Sequence, residues 1–358
     1  MDVRLSAEQQ SLRAAAGRLV DRLGPRAVAD LEDEARIGKL RDALAASGWA
    51  DLRRVGDADA PLASGVEAAL VAEELGRGLA DVAFLGPVLA ADLRRRAGLP
   101  DAEEPETVVL ESRLGALAVL AGGTRAGVAV DAGEAGAALA FTGTSPAGRR
   151  LVRIPLQGDP PRASRTGPVQ LDLTRPTLRV VAQDGAAPAL DGGRPLTDDD
   201  LAAVAALGLA LTCADLVGVM RGAVALARDY AVNRRQYDAP IGSFQAVQHL
   251  LADAHVATEG SCSVALHAAW AVDALAPPDA LAAAALAKAY CARAARTVCE
   301  TAVQVHGGIG NTWDCLAHVY LRRALLSSEL FGDAEVNVER VLAHCGVQSG
   351  VGSGHGLR

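Results

Sequence analysis

The sequence predicts an α+β protein in which an N-terminal helical domain, a middle β-sandwich or barrel and a C-terminal four-helix bundle follow one another along 358 residues. Three observations carry this. Apolar residues recur at helical spacing at both ends of the chain, and short β-branched runs broken by Gly, Pro, Ser and Asp occupy only the middle. The phrase Thr197-Asp198-Asp199-Asp200 then restarts helix with a cap and a first turn of acids. The divisions fall at residues 1–105, 106–195 and 196–345, with 346–358 as a flexible tail.

In the first segment, Ser6 followed by Gln9 matches a capping box, and Leu12, Ala15, Leu19 and Leu23 share one face of a helix over Glu8–Leu23. Further helices are expected at about Gly38–Ser47, Gly65–Gly78 and Phe84–Ala97, the last ended by Gly98 and Pro100. Glu67 suits the first turn of the third helix, and Glu73 and Glu74 near its end read as charges on a solvated face.

The middle segment holds runs at Thr107–Leu110, Ala116–Leu120, Gly127–Val130, Leu151–Pro155, Val169–Leu173 and Leu178–Ala182, the pattern of a small antiparallel sandwich or barrel. The last segment reads as helices over about Asp198–Asn233, Phe244–Leu275, Asp279–His306, Trp313–Ser327 and Ala334–His344, with Pro277 and Pro278 stopping the second. The residues after Gly346 are rich in Gly and Ser.

Composition narrows the function. Half the residues are hydrophobic, the net charge is −8 and aromatics make up 3%, so neither a basic footprint nor a base-stacking surface for nucleic acid is expected. Cys213, Cys262, Cys291, Cys299, Cys315 and Cys345 show no CxxC and read as small core residues. The opening MDVRLSAEQQ has no apolar signal region, so a cytoplasmic location is expected. Leu201–Met220 approaches the length of a membrane span, but Asp215 and a glycine interrupt it; a buried bundle helix is the reading, with no membrane. His249, His255 and His267 lack partner acids at metal-ligand spacing, and no metal is expected.

Two stretches carry chemistry. In Tyr230–Asp253 two arginines and a glutamine end one helix, a loop with Pro240 and Gly242 reverses the chain, and Phe244, Gln245 and Gln248 begin the next. Arginines there either take a phosphate through their planar fork or answer the helix dipole. In Gln304–Arg340 a turn containing Gly307, Gly308 and Gly310 allows close backbone approach, and Phe331-Gly332-Asp333 places one carboxylate between two helices, as a base or as a cap. His306 reads as packing or hydrogen bonding, and Trp313, Asp314, Arg322 and Arg323 as structural.

Together these stretches resemble the acyl-CoA dehydrogenase signature, in which an R-x-Q-F/Y-G-x-P-I-x-x-F-Q loop precedes a Q-x-x-G-G-x-G turn. Arg234, Gln236, Tyr237, Pro240, Ile241, Phe244 and Gln245 match the first motif, and Gln304, Gly307, Gly308 and Gly310 the second. Glu73-Glu74-Leu75-Gly76-Arg77 and Leu171-Asp172-Leu173-Thr174-Arg175 are also similar to family phrases, so the likeness spans nearly the whole chain. It implies FAD at a subunit interface, with Arg234 and Gln236 toward the pyrophosphate and adenosine of a neighbouring protomer's cofactor. Tyr237 and Phe244 belong to that cofactor-binding motif, Gln304 adds a side-chain contact and the three glycines admit the backbone. The assembly that the resemblance implies is a tetramer, a dimer of dimers, since a site completed in trans cannot work as a monomer.

The activity implied is α,β-desaturation of an acyl-CoA thioester: a carboxylate removes the α-proton, the β-hydrogen leaves as hydride to flavin, and an electron-transfer flavoprotein is the expected acceptor. Backward alignment from Arg340 puts Asp333 where the family carries its base in a Tyr-Glu-Gly-Thr sequence. Relatives with the base on the long helix would carry it at about Gly208–Leu209, where this chain has no acid.

Two departures stand out. Asp238 occupies a usual glycine position, and nothing in residues 106–190 matches the Thr-Glu-Pro-x-Ala-Gly-Ser-Asp-like loop that covers flavin and substrate; Thr142-Gly143-Thr144-Ser145-Pro146 is too different. Either an acyl-CoA dehydrogenase with Asp333 as base or a non-catalytic subunit completing a partner's FAD site in a heterotetramer is expected. The acyl group is left open.

Overall fold

In the computed structural model, residues 4–120, 124–143, 148–156, 170–183 and 189–347 are described. The strand-like run at Val169 falls partly outside them, as do Thr144, Ser145 and Pro146 and most of the C-terminal tail.

The first helices begin where side chains close their exposed N–H groups. Helix α1 (Ala7–Leu23) opens on the Ser6 hydroxyl, which accepts from the Gln9 N–H at 3.2 Å, while the Gln9 side chain accepts from the Ser6 N–H at 3.0 Å. Helix α2 (Glu34–Ser47) starts four residues before Gly38, because Asp33 accepts from the Arg36 N–H at 3.1 Å. Helices α3 (Gly65–Arg77) and α4 (Leu85–Arg96) complete the segment.

Glu73 and Glu74 correct the sequence reading: both are buried, at 7% and 6% exposure. Arg13 donates to Glu73 at 2.8 Å and to Glu74 at 3.2 Å, Arg221 pairs with Glu73 at 2.5 Å, and Arg77 pairs with Glu74 at 2.6 Å. Helix α3 is enclosed by α1 and by the long helix of the bundle, so it has no solvated face at this point. Periodicity alone could not show this, because both neighbours bring their arginines from distant sequence.

The middle segment is one five-stranded sheet of order β4-β3-β1-β2-β5, built from β1 (Glu106–Glu111), β2 (Thr124–Ala129), β3 (Ala137–Thr142), β4 (Arg150–Pro155) and β5 (Leu178–Gln183). The expected all-antiparallel pairing fails at its centre, where β1 and β3 run parallel with Thr107 opposite Ala138. The strand at Ala137–Thr142 escaped the pattern because its alanines and Phe141 are buried on both faces and show no alternation. Residues 116–120 form only isolated bridges, Leu117 to Leu110 and Val119 to Phe141.

Helix α5 (Asp198–Asn233) follows, capped by Thr197, whose hydroxyl accepts from the Asp200 N–H at 3.1 Å. Strands β6 (Arg235–Gln236) and β7 (Ala239–Pro240) make a tight hairpin before α6 (Gln245–Ala274), α7 (Pro277–His306), α8 (Ala317–Glu329) and α9 (Ala334–His344). Helix α8 begins four residues after Trp313, since residues 307–311 form a 3-10 turn and the chain re-enters helix only at Ala317. At 36 residues α5 spans about 54 Å, and it is the one helix among the described residues long and apolar enough to cross a membrane. Its most apolar stretch is 94% buried in the bundle, as a core helix requires. Cys213, Cys291, Cys299 and Cys315 are buried as expected, whereas Cys262 is partly buried and Cys345 is exposed.

An ionic knot ties sheet to bundle. Asp215 of α5 accepts from Arg323 at 2.7 and 3.0 Å and from the Ser327 hydroxyl at 2.7 Å, and it pairs with Arg175 at 3.4 Å. Arg175 also bonds Asp172 at 3.2 Å, and Arg323 reaches the Thr174 hydroxyl at 3.0 Å. The Leu171–Arg175 phrase is therefore a structural clasp, joined by Arg322, which donates to the Leu171 carbonyl at 2.8 Å.

Candidate cofactor and base positions

The two signature motifs lie side by side. Tyr230, one turn before the end of α5, stacks on His306 at the end of α7, with ring centroids 4.5 Å apart and planes 28° from parallel. The His306 Nδ1 also lies 2.7 Å from the Ala302 carbonyl, so His306 is a packing and hydrogen-bonding residue. The stack sets the hairpin that follows α5 beside the glycine turn that follows α7.

Tyr237 and Asp238 form the hairpin tip with φ of +51° and +61°, the left-handed pair of a two-residue turn. Glycine suits such a position best, and aspartate tolerates it because its short side chain can bond locally. Arg235 holds the turn by donating to the Asp238 carbonyl at 2.5 Å. Arg234 and Gln236 are exposed, and among the described residues neither side chain has a partner within the chain. Tyr237 is 90% exposed and meets Phe244 edge to face at 6.4 Å. Gln304, Gly307 and Gly308 are exposed as well. Gly307 takes φ +66°, which requires glycine, and Gly310 is packed so that a Cβ would meet the Val303 carbonyl at 2.8 Å. Gly308 differs, since nothing lies within 4 Å of where its Cβ would be.

Asp333 lies apart from this cluster, at the start of α9. Its carboxylate accepts from the Val336 N–H at 2.8 Å, the geometry of an N-cap. The break around it is closed by side chains that sequence inspection missed. Buried Lys288 donates to the carbonyls of Ser328, Leu330 and Gly332 at 2.7–2.8 Å. Burial pulls its ammonium down to about 8. Asn337 donates to the carbonyls of Gly332 and Asp333 at 2.9 and 2.8 Å, and Arg340 to that of Phe331 at 2.5 Å. A lone lysine in the Ala-rich run of α7 was the available signal, because a charge among core positions needs buried partners.

The same break docks on the β-domain. Gly332 N–H donates to the Leu114 carbonyl at 3.3 Å, and Arg340 donates to the Gly115 carbonyl at 2.7 Å. Phe331, 2% exposed, turns inward against Gly208 of α5. The two positions at which the resemblance would place a base therefore adjoin one another, one held by a bare glycine and the other beside a buried phenyl ring.

The family model described as acyl-CoA dehydrogenase, C-terminal domain, matches residues 206–345. The chain is 30% identical over 334 residues to the acyl-CoA dehydrogenase IpdE2 of Mycobacterium tuberculosis, covering 90% of this chain and 92% of that one. Among solved structures, a chain of the ChsE4-ChsE5 complex from Mycobacterium tuberculosis superposes with a TM-score of 0.77 at 24% identity, covering 98% of this chain and 100% of that one. PigA with FAD and proline superposes at 0.73 with 17% identity, covering 97% and 100%. The last two establish the fold.

Proposed function

The chain belongs to the acyl-CoA dehydrogenase family of oxidoreductases, and from that premise we propose that it is the subunit of a heteromeric, flavin-dependent acyl-CoA dehydrogenase that completes a partner chain's FAD site. One observation carries this reading. Gly332 N–H donates directly to the Leu114 carbonyl, and Arg340, which also holds the Phe331 carbonyl, donates to the Gly115 carbonyl, so that the break and the β-domain loop meet where the resemblance sets flavin ring and substrate. On this reading the contact takes the place of a flavin ring in this chain, and the outward-facing hairpin and glycine turn would act in trans.

Those parts fit the nucleotide half of FAD. An arginine fork and an amide lie exposed on one hairpin, and beside them is a turn whose Gly308 has no packing reason within its own chain. Arg234 and Gln236 would hold the pyrophosphate and adenosine, Gln304 would add a hydrogen bond, and the backbone at Gly307 and Gly308 would lie against the cofactor. When bound, FAD supplies the hydride acceptor for α,β-desaturation of an acyl thioester, and an electron-transfer flavoprotein would then reoxidise it. The partner's own residues would position the substrate and remove its α-proton. The superposing ChsE4-ChsE5 structure is a complex of two differently named chains, which supports a heteromeric assembly for this one.

The test is co-purification with a dehydrogenase-like partner, followed by flavin absorbance. The chain alone should be colourless and the assembly yellow, and Arg234→Ala should lower FAD occupancy of the assembly at least tenfold. A chain that is yellow by itself, or full occupancy in the variant, would overturn the reading.

A second reading makes Asp333 the base, and it rests on the position of that carboxylate at the break. Asp333→Asn separates the two, since asparagine caps a helix about as well as aspartate and leaves the fold intact. Unchanged flavin reduction by acyl-CoA in the variant assembly supports the partner role; lost reduction with retained flavin assigns Asp333 to the chemistry.

A further inference from the structure

We infer that a cavity between α2, α4 and the start of β1 is a binding site for a small hydrophobic amine, an inference independent of the proposed function. The cavity measures about 270 Å³. Its apolar wall comes from one face of α4 (Pro87, Ala90 and Ala91) together with Leu44, Val82 and Ala83. Those alanines and the proline make this a wall of short side chains, whereas protein interiors are normally filled to near crystal density. A liquid water occupies about 30 Å³, so the volume corresponds to roughly nine waters, room for a short alkyl chain or one ring.

Charge decides what else the occupant carries. Seven carboxylates and three arginines line the cavity, and Arg153 behind it pairs with Glu104 at 3.0 Å and Glu106 at 2.9 Å, so the carboxylates outnumber the nearby arginines by three. Each arginine is already answered: Arg41 by Glu134 at 2.8 Å, Arg54 by Asp51 at 2.9 Å and Arg94 by Glu106 at 2.6 Å. Asp131, 3% exposed, is fixed at the inner end by the N–H groups of Phe84 and Gly86, each at 3.2 Å. Asp101 and Glu103 stand exposed at the mouth, Asp101 at 3.8 Å from Arg54, which Asp51 holds more closely. An anion, including any part of a CoA nucleotide, meets a field of its own sign here. A neutral hydrocarbon gains burial alone, at about 25 cal/mol per Å². An ammonium on an apolar body gains burial and electrostatic attraction together. The cavity adjoins Glu106, which opens β1, whereas the Leu114–Gly115 loop follows the other end of that strand about 17 Å away. The two regions are thus separate.

The experiment is isothermal titration of the full-length chain in its native assembly with n-octylamine, n-octanol and octanoate. We expect saturable binding of one octylamine per chain, octanol at least tenfold weaker and no detectable octanoate. Ala91→Phe, which fills the volume, should weaken octylamine at least tenfold. Because that variant could misfold, the exposed pair Asp101→Asn and Glu103→Gln provides a second reading; it should weaken octylamine about tenfold and leave octanol unchanged. Octanoate binding as tightly as octylamine, no saturable amine binding, or amine affinity unmoved by the charge pair would each overturn the assignment.

Discussion

The ring of Phe331 lies on the bare Cα of Gly208: a Cβ there would fall 2.5 Å from the ring's Cζ and 2.8 Å from both Cε atoms. Helix and break are fitted to each other so closely that neither residue can change alone. Gly208→Ala should cost about 1–3 kcal/mol through overpacking, and Phe331→Ala about 3–5 kcal/mol through the cavity it leaves. The double variant should cost measurably less than the sum, because removing the ring relieves the alanine. Urea unfolding measures all three, and strict additivity would show that the two sites are not coupled.

Lys288 holds the same break from the other side. Replacing it with methionine keeps the bulk and leaves the carbonyls of Ser328 and Leu330 without a donor, while Gly332 retains Asn337. The expected loss is about 2–5 kcal/mol, at roughly 1–3 kcal/mol per buried unsatisfied group. Faster hydrogen exchange at residues 328–334, with α5 unchanged, would locate the damage; uniform exchange across the bundle would not fit.

Asp215 is the acceptor on which two buried arginines converge. Burial opposes its charge, and Arg175 and Arg323 outweigh that to hold its carboxyl below the usual range. Asp215→Asn leaves Arg323 without a carboxylate and Arg175 with Asp172 alone, and should destabilise by about 3–5 kcal/mol, the usual cost of breaking a buried pair from one side. A melting temperature within a degree of the parent would contradict that role.

Glu73 gives a pH signature of the opposite sign to most acids. Burial pushes its carboxyl from the ordinary 4.5 up to about 7, with Arg13 opposing the shift. The folded chain therefore binds more protons than the unfolded one between about pH 4.5 and 7. The stability due to this group is complete below that window and is lost as pH rises through it. Glu73→Gln should flatten the fall in stability between pH 5 and 7.5 in thermal melts. An unchanged slope would place the titration elsewhere.

Most of the helices were legible in the sequence because each depends on local chemistry. The Ser6 and Thr197 caps, the proline stop before α7 and the apolar periodicity all act within a few residues. The hairpin and glycine turn were legible as motifs, and the Tyr230–His306 stack explains why two stretches some 70 residues apart form one unit. What escaped notice depends on distant partners. Glu73 looks solvated until Arg13 and Arg221 arrive from α1 and α5, and the parallel β1–β3 pair has no local signal. Phe331 looks like an ordinary core residue until Gly208 supplies the space for it. Asp333 could be read as base or cap, and the structure shows the capping hydrogen bond directly.

Glycines at 76 and 218 bring α3 and α5 nearly into backbone contact: a Cβ on Gly218 would collide with the Glu73 carbonyl, and one on Gly76 would come within 2.5 Å of the Asp215 carbonyl. The five-letter phrase from Glu73 to Arg77 is thus the imprint of two rods crossing at minimum separation, with its acids serving as rivets. Anyone hunting for reactivity with that phrase would retrieve a helix crossing.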